Sequence, residues 1–113
     1  MKYKLVVMSF PVEGREREYN EWYDNVHLKQ LLQIPGIVSA RRYRAVLPVG
    51  TNESYPYAAI YDIEADDVSS VIREMTERAG TDRLVVSEAL SQDDLYGVVY
   101  EELDPTAGPS SGI

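Results

Sequence analysis

The residues best suited to chemistry lie in the segment YNEWYDNVHL, residues 19–28. His27 is the only histidine of the chain. Because the ordinary pKa of histidine lies near neutrality, His27 is the natural candidate to move a proton. Asp24 precedes it by three residues, a spacing that brings side chains into reach on a helix. We therefore expect Asp24 to orient the imidazole; the alternative is that His27 only packs or caps the helix end.

Aromatic side chains accompany this pair and could line a pocket for a flat, hydrophobic substrate, since such pockets are mostly apolar with a few polar groups. Tyr23 or Tyr61 could then hold a developing enolate oxygen by a hydrogen bond. The alternative is that the rings only fill the core, as aromatic residues at helical and strand spacing usually do. The predicted substrate-binding aromatic residues are Trp22, Tyr23, Tyr57 and Tyr61.

A short basic stretch, Arg41, Arg42 and Arg44, stands out in an acidic chain. Arg41 and Arg42 must point to opposite faces of a strand. One of them could bind a substrate carboxylate or phenolate, because guanidinium forms bidentate pairs with such groups. We assign this role to Arg41. The alternative is a surface or dimer-interface ion pair.

Composition excludes several functional classes. The 113 residues are enough for one domain, and 19 acidic against 11 basic residues give a net charge of −8. This charge argues against binding to nucleic acids or to anionic membranes. The sequence has no cysteine, no metal-ligand spacing, no glycine-rich phosphate loop and no serine-hydrolase elbow. No cofactor or metal is expected. Without a signal peptide or a membrane span, we expect a cytoplasmic protein.

The elements that must position these residues follow from changes of hydrophobic period. Strands are predicted in YKLVVMSF, GIVSARRYRAVL, YPYAAIYDIEA and LYGVVYEEL, and helices in residues 12–33 and 67–80. On a regular helix Leu28 points away from Trp22, so either the helix distorts near His27 or another surface covers Leu28. Residues 81–94 are expected to form a loop with one helical turn.

The β-α-β-β-α-β order predicts an α+β, ferredoxin-like domain over residues 1–103 and a disordered tail over residues 104–113. Two helices would cover one face of a four-stranded antiparallel sheet. The other face would still carry apolar side chains, and a second copy of the chain is its simplest cover.

The helix with WYDNVHL, followed by Pro35-Gly36 and the strand VSARRYR, resembles the EthD-like group of the dimeric α/β-barrel superfamily. The resemblance implies a homodimer whose two sheets pack face to face, with a ligand cavity between sheet and helices. It does not fix the reaction, because relatives in this superfamily include monooxygenases, isomerases, dehydratases and cyclases.

Together these features indicate a small cofactor-independent enzyme that performs acid–base chemistry, such as dehydration, cyclisation or isomerisation. Its substrate would be a hydrophobic aromatic or polyketide-like carbonyl compound. Two alternatives stay open: a cofactor-free monooxygenase, and a non-catalytic dimeric binding or accessory protein that shares the cavity but needs no titratable group.

Overall fold

The computed structural model describes residues 1–50 and 54–103. It shows the β-α-β-β-α-β order of a ferredoxin-like domain, which confirms the predicted fold class. The first helix runs over residues 16–31 and the second over Val68–Arg78. The strands are β1 (Lys2–Ser9), β2 (Ile37–Arg44), β3 (Tyr57–Glu64) and β4 (Tyr96–Glu101).

The four strands form one antiparallel sheet in the order β2-β3-β1-β4. Strand β3 lies in the interior of the sheet and alternates strictly, as a strand with one covered face should. Its inward side chains form the floor on which the first helix packs, and these are Tyr57, Ala59, Tyr61 and Ile63.

The first helix is not regular throughout. Glu16–Trp22 is α-helical, Tyr23–His27 forms a π-helical turn, and Leu28–Leu31 is α-helical again. The Leu28 N–H donates to the Tyr23 carbonyl, five residues back rather than four. This wider turn brings Leu28 against the core. The distortion that the position of Leu28 indicated is therefore present.

The second helix begins at Val68, and Asp67 is its N-cap residue. The Asp67 carboxylate accepts a hydrogen bond from the Ser69 backbone N–H at 3.0 Å. This bond satisfies one of the free N–H groups of the first turn. Val71 is the buried residue of this helix.

Residues 79–95, here called the strap, contain turns and isolated bridges instead of the expected helical turn. The strap is fixed to the first helix: Trp22 Nε1 donates to the Val85 carbonyl at 2.9 Å, and the Val85 N–H donates to Gln30 Oε1 at 2.7 Å. Leu84 and Ala89 of the strap are buried in the core. The strap thus holds the outer side of the helix that carries His27.

The sheet face opposite the helices is uncovered. Its centre is apolar, with Val6, Ile60 and Val98 side by side on three adjacent strands. Polar and aromatic residues surround that centre: Lys4, Ser39, Arg41, Tyr43, Asp62, Tyr96 and Tyr100. Lys4 and Asp62 form an ion pair there.

Within residues 1–50 and 54–103, no helix has the length and apolar character needed to cross a membrane. The tail predicted over residues 104–113 lies outside the described residues, as does part of the β2–β3 connection, residues 51–53.

Gly36 supplies a test of how tightly the two helices and the sheet are joined. Its φ is +103°, and a Cβ built there would lie 2.8 Å from Val71 Cγ2. Gly36→Ala should lower the free energy of unfolding in urea by about 2–4 kcal/mol, because left-handed strain adds to a clash in a packed site. Gly14→Ala is the matched control: φ is +80° with open space around it, so only the strain, about 1–2 kcal/mol, should be lost. If both variants lose the same free energy of unfolding, the close contact between Gly36 and Val71 does not contribute to stability.

Candidate functional site

His27 lies at the end of the π-helical turn and is held between two aromatic rings. Its imidazole stacks on Trp22 with ring centres 4.3 Å apart, and it meets Tyr23 edge to face at 5.0 Å. Residues five apart are about 1.4 turns apart on a regular α-helix and face different sides. The wide turn at Tyr23–His27 is therefore what allows Trp22 and His27 to stack.

The environment of His27 keeps its imidazole neutral. Burial, followed by the positive charge of Arg42, lowers the pKa of His27 to about 4. Its Nδ1 is buried and has no hydrogen-bond partner among the described residues. At physiological pH the ring is thus an uncharged group with a free nitrogen, able to take up a proton only from an acidic donor.

Arg42 is the centre of the polar part of the site. Its guanidinium carbon lies 4.4 Å from the centre of the Tyr23 ring, 5.2 Å from that of Tyr57 and 5.5 Å from that of Tyr19. Such positions are favourable because the ring faces are negative. Nη2 donates to Asn20 Oδ1 at 2.8 Å, which fixes the group in its plane. Only 13% of the side chain is exposed.

Asp24 does not orient His27, in contrast to the expectation from its spacing. Its carboxylate accepts a hydrogen bond from Arg42 Nη1 at 2.9 Å, and 60% of its side chain is exposed. The helical spacing that favoured an Asp24–His27 pair assumes a regular α-helix. The π-helical turn changes that relation, and the carboxylate reaches β2 instead.

Arg41 lies on the uncovered sheet face, opposite His27, and is exposed. The reason is an irregularity in β2: Ile37 pairs with Ile63 and Ser39 with Asp62, so Val38 is an extra residue. Alternation counted from buried Ile37 would turn Arg41 inward, but the extra residue reverses the faces. Arg42 therefore takes the place in the candidate site that we assigned to Arg41.

The predicted aromatic residues all meet on the helix-covered side of the sheet. Tyr61, Tyr23, Trp22 and Tyr57 are at most 8% exposed and belong to one core cluster. Burial raises the pKa of Tyr23 to about 12, and burial also raises the pKa of Tyr61 well above its usual range. Both phenols stay protonated and can donate hydrogen bonds at physiological pH.

Three buried polar atoms in this region have no partner among the described residues: His27 Nδ1, Arg42 Nε and Tyr61 Oη. All three groups surround Tyr23, whose ring contacts His27 and Arg42 and whose phenol influences the pKa of Tyr61. Buried polar groups are almost always paired, so each exception needs an explanation. Three exceptions around one side chain make this region the candidate site among the described residues.

An open groove of about 290 Å³ gives access to Arg42 from solvent. Its walls come from the first helix, β2 and the start of β3, and its lining residues are Asn20, Asp24, Arg42, Tyr43, Arg44 and Tyr57. The groove does not reach the His27 ring, and the buried aromatic rings lie between them. In the part of the chain that the structure describes, this groove is therefore not the cavity expected at His27, whose ring packs against Trp22 and Tyr23.

Two residues of the site, Asn20 and Tyr19, were missed by the sequence reasoning. Asn20 links Arg42 to the Tyr57 hydroxyl, to which its Nδ2 donates at 3.2 Å. Tyr19 is fully buried and shares a 2.6 Å hydrogen bond with Ser9 Oγ. An asparagine on the aromatic face of the helix was the available signal. Among the described residues, no group of three or more His, Asp or Glu side chains could hold a metal ion.

Comparison with known proteins gives structural matches only. Neither the protein-family models nor the curated proteins contain a match to the sequence. A dimeric ferredoxin-like protein of unknown function from Jannaschia sp. CCS1 is similar in structure, with a TM-score of 0.60 and 20% identity over 90% of this chain and 100% of that chain. An ethyl tert-butyl ether d (EthD) family protein from Bacillus halodurans C-125 has a TM-score of 0.54 and 16% identity over 91% of this chain and 100% of that chain.

A proposed monooxygenase from Shewanella loihica PV-4 is also similar, with a TM-score of 0.57 and 15% identity over 92% of this chain and 96% of that chain. These likenesses confirm the resemblance to the EthD-like group at the level of the fold. At such low identity they carry no information on the reaction.

The lowered pKa of His27 predicts a specific pH dependence of stability. In the unfolded state His27 has a pKa near 6.5 and binds a proton below that pH, whereas in the folded state it binds the proton only near pH 4. The contribution of neutral His27 to the free energy of unfolding should therefore be fully present above pH 6.5 and be lost as the pH falls to 4. The loss should reach about 3 kcal/mol, because each pKa unit corresponds to about 1.4 kcal/mol.

Urea unfolding of the wild type and of His27→Gln across this range isolates the effect, since glutamine does not titrate. A carboxylate with a lowered pKa, such as Asp62, also stabilises the folded protein, but most of this contribution is lost only as the pH falls below its ordinary pKa of 3.8. If both proteins lose the same stability between pH 6.5 and 4, His27 is not a buried neutral group.

Proposed function

We propose that this protein is a homodimeric, cofactor-independent enzyme that performs acid–base chemistry on a small aromatic or polyketide-like carbonyl compound. The observation that supports the proposal best is the group of three buried atoms around Tyr23 that have no partner among the described residues: a phenol donor, a guanidinium donor and an imidazole nitrogen, which accepts a proton in the tautomer with its hydrogen on Nε2. This is the set required to remove a proton next to a carbonyl and to stabilise the enolate that results.

In this mechanism His27 takes the proton from the carbon next to the carbonyl and becomes an imidazolium. The electron pair of the broken C–H bond moves onto the carbonyl oxygen, which accepts a hydrogen bond from Tyr61. The nearby positive charge of Arg42 favours the enolate. His27 then returns the proton to another carbon, or to a leaving hydroxyl group, so that isomerisation or dehydration results.

The pKa of His27 limits the substrate. A base with a pKa of about 4 removes a proton efficiently only from a carbon that is already acidic. Carbon between two carbonyl groups meets this condition, because the negative charge is shared by both oxygens. The buried rings of Trp22 and Tyr23 would stack on such a flat compound once they open to admit it.

One observation favours the non-catalytic alternative. Tyr19 and Tyr61 are 0% exposed and fill the space where a bound substrate would lie. A protein that only binds ligands, or only forms a dimer, would need no vacancy at His27.

A cofactor-free monooxygenase would use the same enolate with molecular oxygen. Oxygen uptake during turnover separates it from the other enzymes.

The homodimer is proposed from the uncovered sheet face. Apolar side chains of three strands lie there, and Tyr43, Val98 and Tyr100 are each more than a third exposed. A single layer cannot bury them. Two such faces packed together would remove the apolar centre from water and leave the polar residues at the edge, as in most protein interfaces.

Light scattering at micromolar concentration should give twice the chain mass of 12.8 kDa. Ile60→Glu places a charge at the centre of the sheet face and should yield a folded monomer, because a buried unpaired charge is strongly unfavourable. Val86→Glu, on the strap, is the control and should leave the dimer intact. A wild type that is monomeric at this concentration contradicts the proposal.

Proton abstraction can be measured without knowing the natural product. Aromatic 1,3-dicarbonyl compounds in deuterium oxide should lose their α-proton NMR signals faster with the protein than without it. His27→Ala should slow this exchange by about 10²–10⁴-fold, the usual contribution of a positioned base. Because Asp24 contacts Arg42 and not His27, Asp24→Asn should change the rate by less than about tenfold.

Asp66→Asn, an exposed carboxylate at the far end of β3, serves as the matched control. Folding of each variant is checked by its far-UV circular dichroism. A folded His27→Ala variant with full exchange activity would exclude His27 as the base, and a wild type that does not accelerate exchange would favour the ligand-binding alternative.

A further inference from the structure

The ion pair between Arg42 and Asp24 is markedly asymmetric. Arg42 lies beside three tyrosine rings and donates a hydrogen bond to Asn20, and its side chain is 13% exposed. Asp24 makes a single hydrogen bond to it, and its side chain is 60% exposed. The cation is therefore preorganised, whereas its anionic partner is held only by an exposed contact, which is weak.

The hydrogen-bonding capacity of the guanidinium is not filled. Nη1 and Nη2 have partners, but Nε is buried and unpaired among the described residues. A guanidinium has five N–H donors and binds planar oxyanions in a bidentate manner. The groove in front of it is also lined by Arg44, which adds a second positive charge, and by Tyr57.

We propose that Arg42 is the anion-recognition residue of this protein, and that Asp24 occupies its place until a flat aromatic anion enters the groove and displaces the carboxylate. This inference rests on the proposed function for the reacting part of the ligand, and it adds the ligand class: an aromatic carboxylate, phenolate or enolate. Arg42 would fix the charged end, and the tyrosine rings would cover the flat body.

Electrostatics support the exchange of Asp24 for a ligand. Because 60% of the Asp24 side chain is exposed, its carboxylate can turn into solvent, where its charge is screened, and a ligand anion can then take its place beside Arg42. Glu16 does not compete, because its carboxylate accepts the hydrogen bond of the Tyr57 hydroxyl. A neutral ligand would have to leave the Asp24 pair in place and would gain no charge-assisted hydrogen bond.

Two matched probes test the inference: 2-naphthoate, which is an anion at neutral pH, and 2-naphthamide, which has the same rings without the charge. The readout is the indole N–H resonance of Trp22, the only tryptophan, in titrations at constant ionic strength. Naphthoate should bind at least about tenfold more tightly, because hydrogen bonds to charged groups exceed neutral ones by that factor or more.

Variants assign the effect to individual side chains. Arg42→Met should abolish the preference for naphthoate, and Arg73→Met, on the second helix, should preserve it. Asp24→Asn removes the competing carboxylate and should tighten naphthoate binding by about threefold to tenfold without changing naphthamide binding. Asp66→Asn should change neither. Should Arg42→Met fail to fold, the gain of affinity in Asp24→Asn still tests the displacement.

Equal binding of the two probes, or no binding of either at millimolar concentration, would overturn the inference. So would an Asp24→Asn variant with unchanged affinity for naphthoate. These outcomes are distinct from failure of the proposed function. A wild type that binds naphthoate through Arg42 but does not accelerate α-proton exchange would refute the proposed enzymatic function and leave the proposed anion site standing.

Discussion

The arrangement of this protein depends on one partly buried cation. The Arg42 guanidinium is surrounded by the rings of Tyr19, Tyr23 and Tyr57, and it joins β2 to the first helix through Asn20 and Asp24. A charge with 13% exposure must have partners, since desolvation without them is costly. The tyrosines at this end of the domain are therefore arranged around Arg42, and its charge helps to keep His27 neutral.

The π-helical turn is the second constraint, and it converts ordinary packing into a candidate site. It stacks His27 on Trp22, moves Asp24 toward β2 and turns Leu28 into the core. Such turns are rare and often occur at functional sites, because they interrupt the regular hydrogen bonding of the helix. The strap holds this helix from outside through Trp22 and Gln30, so the distorted turn is supported on both sides.

Much of the fold could be predicted from the sequence because it follows simple periods. The alternation in β3 and the Pro35-Gly36 break required no tertiary information. The site was harder. The distortion near His27 was visible as the misplaced Leu28, but its consequence for Asp24 was not, because the spacing rule assumes a regular helix.

Arg41 was misplaced for a related reason. One extra residue at Val38 reverses which side chains of β2 face the helices, and no residue type in GIVSARRYR indicates where that extra residue lies. The residues around Arg42 come from the first helix and from β3, and Arg42 itself lies on β2, so only the three-dimensional structure could reveal this arrangement.

The central claim is that His27 is a neutral imidazole between Trp22 and Tyr23, with an Nδ1 that has no partner among the residues that the structure describes. The most direct measurement is an NMR titration of its ring nitrogens, which give unambiguous signals because the chain has one histidine. Our account predicts that the ring stays neutral from pH 8 down to pH 5 and titrates near pH 4. Titration near pH 6.5, the ordinary value, would mean that the ring is hydrated, and it would contradict the account.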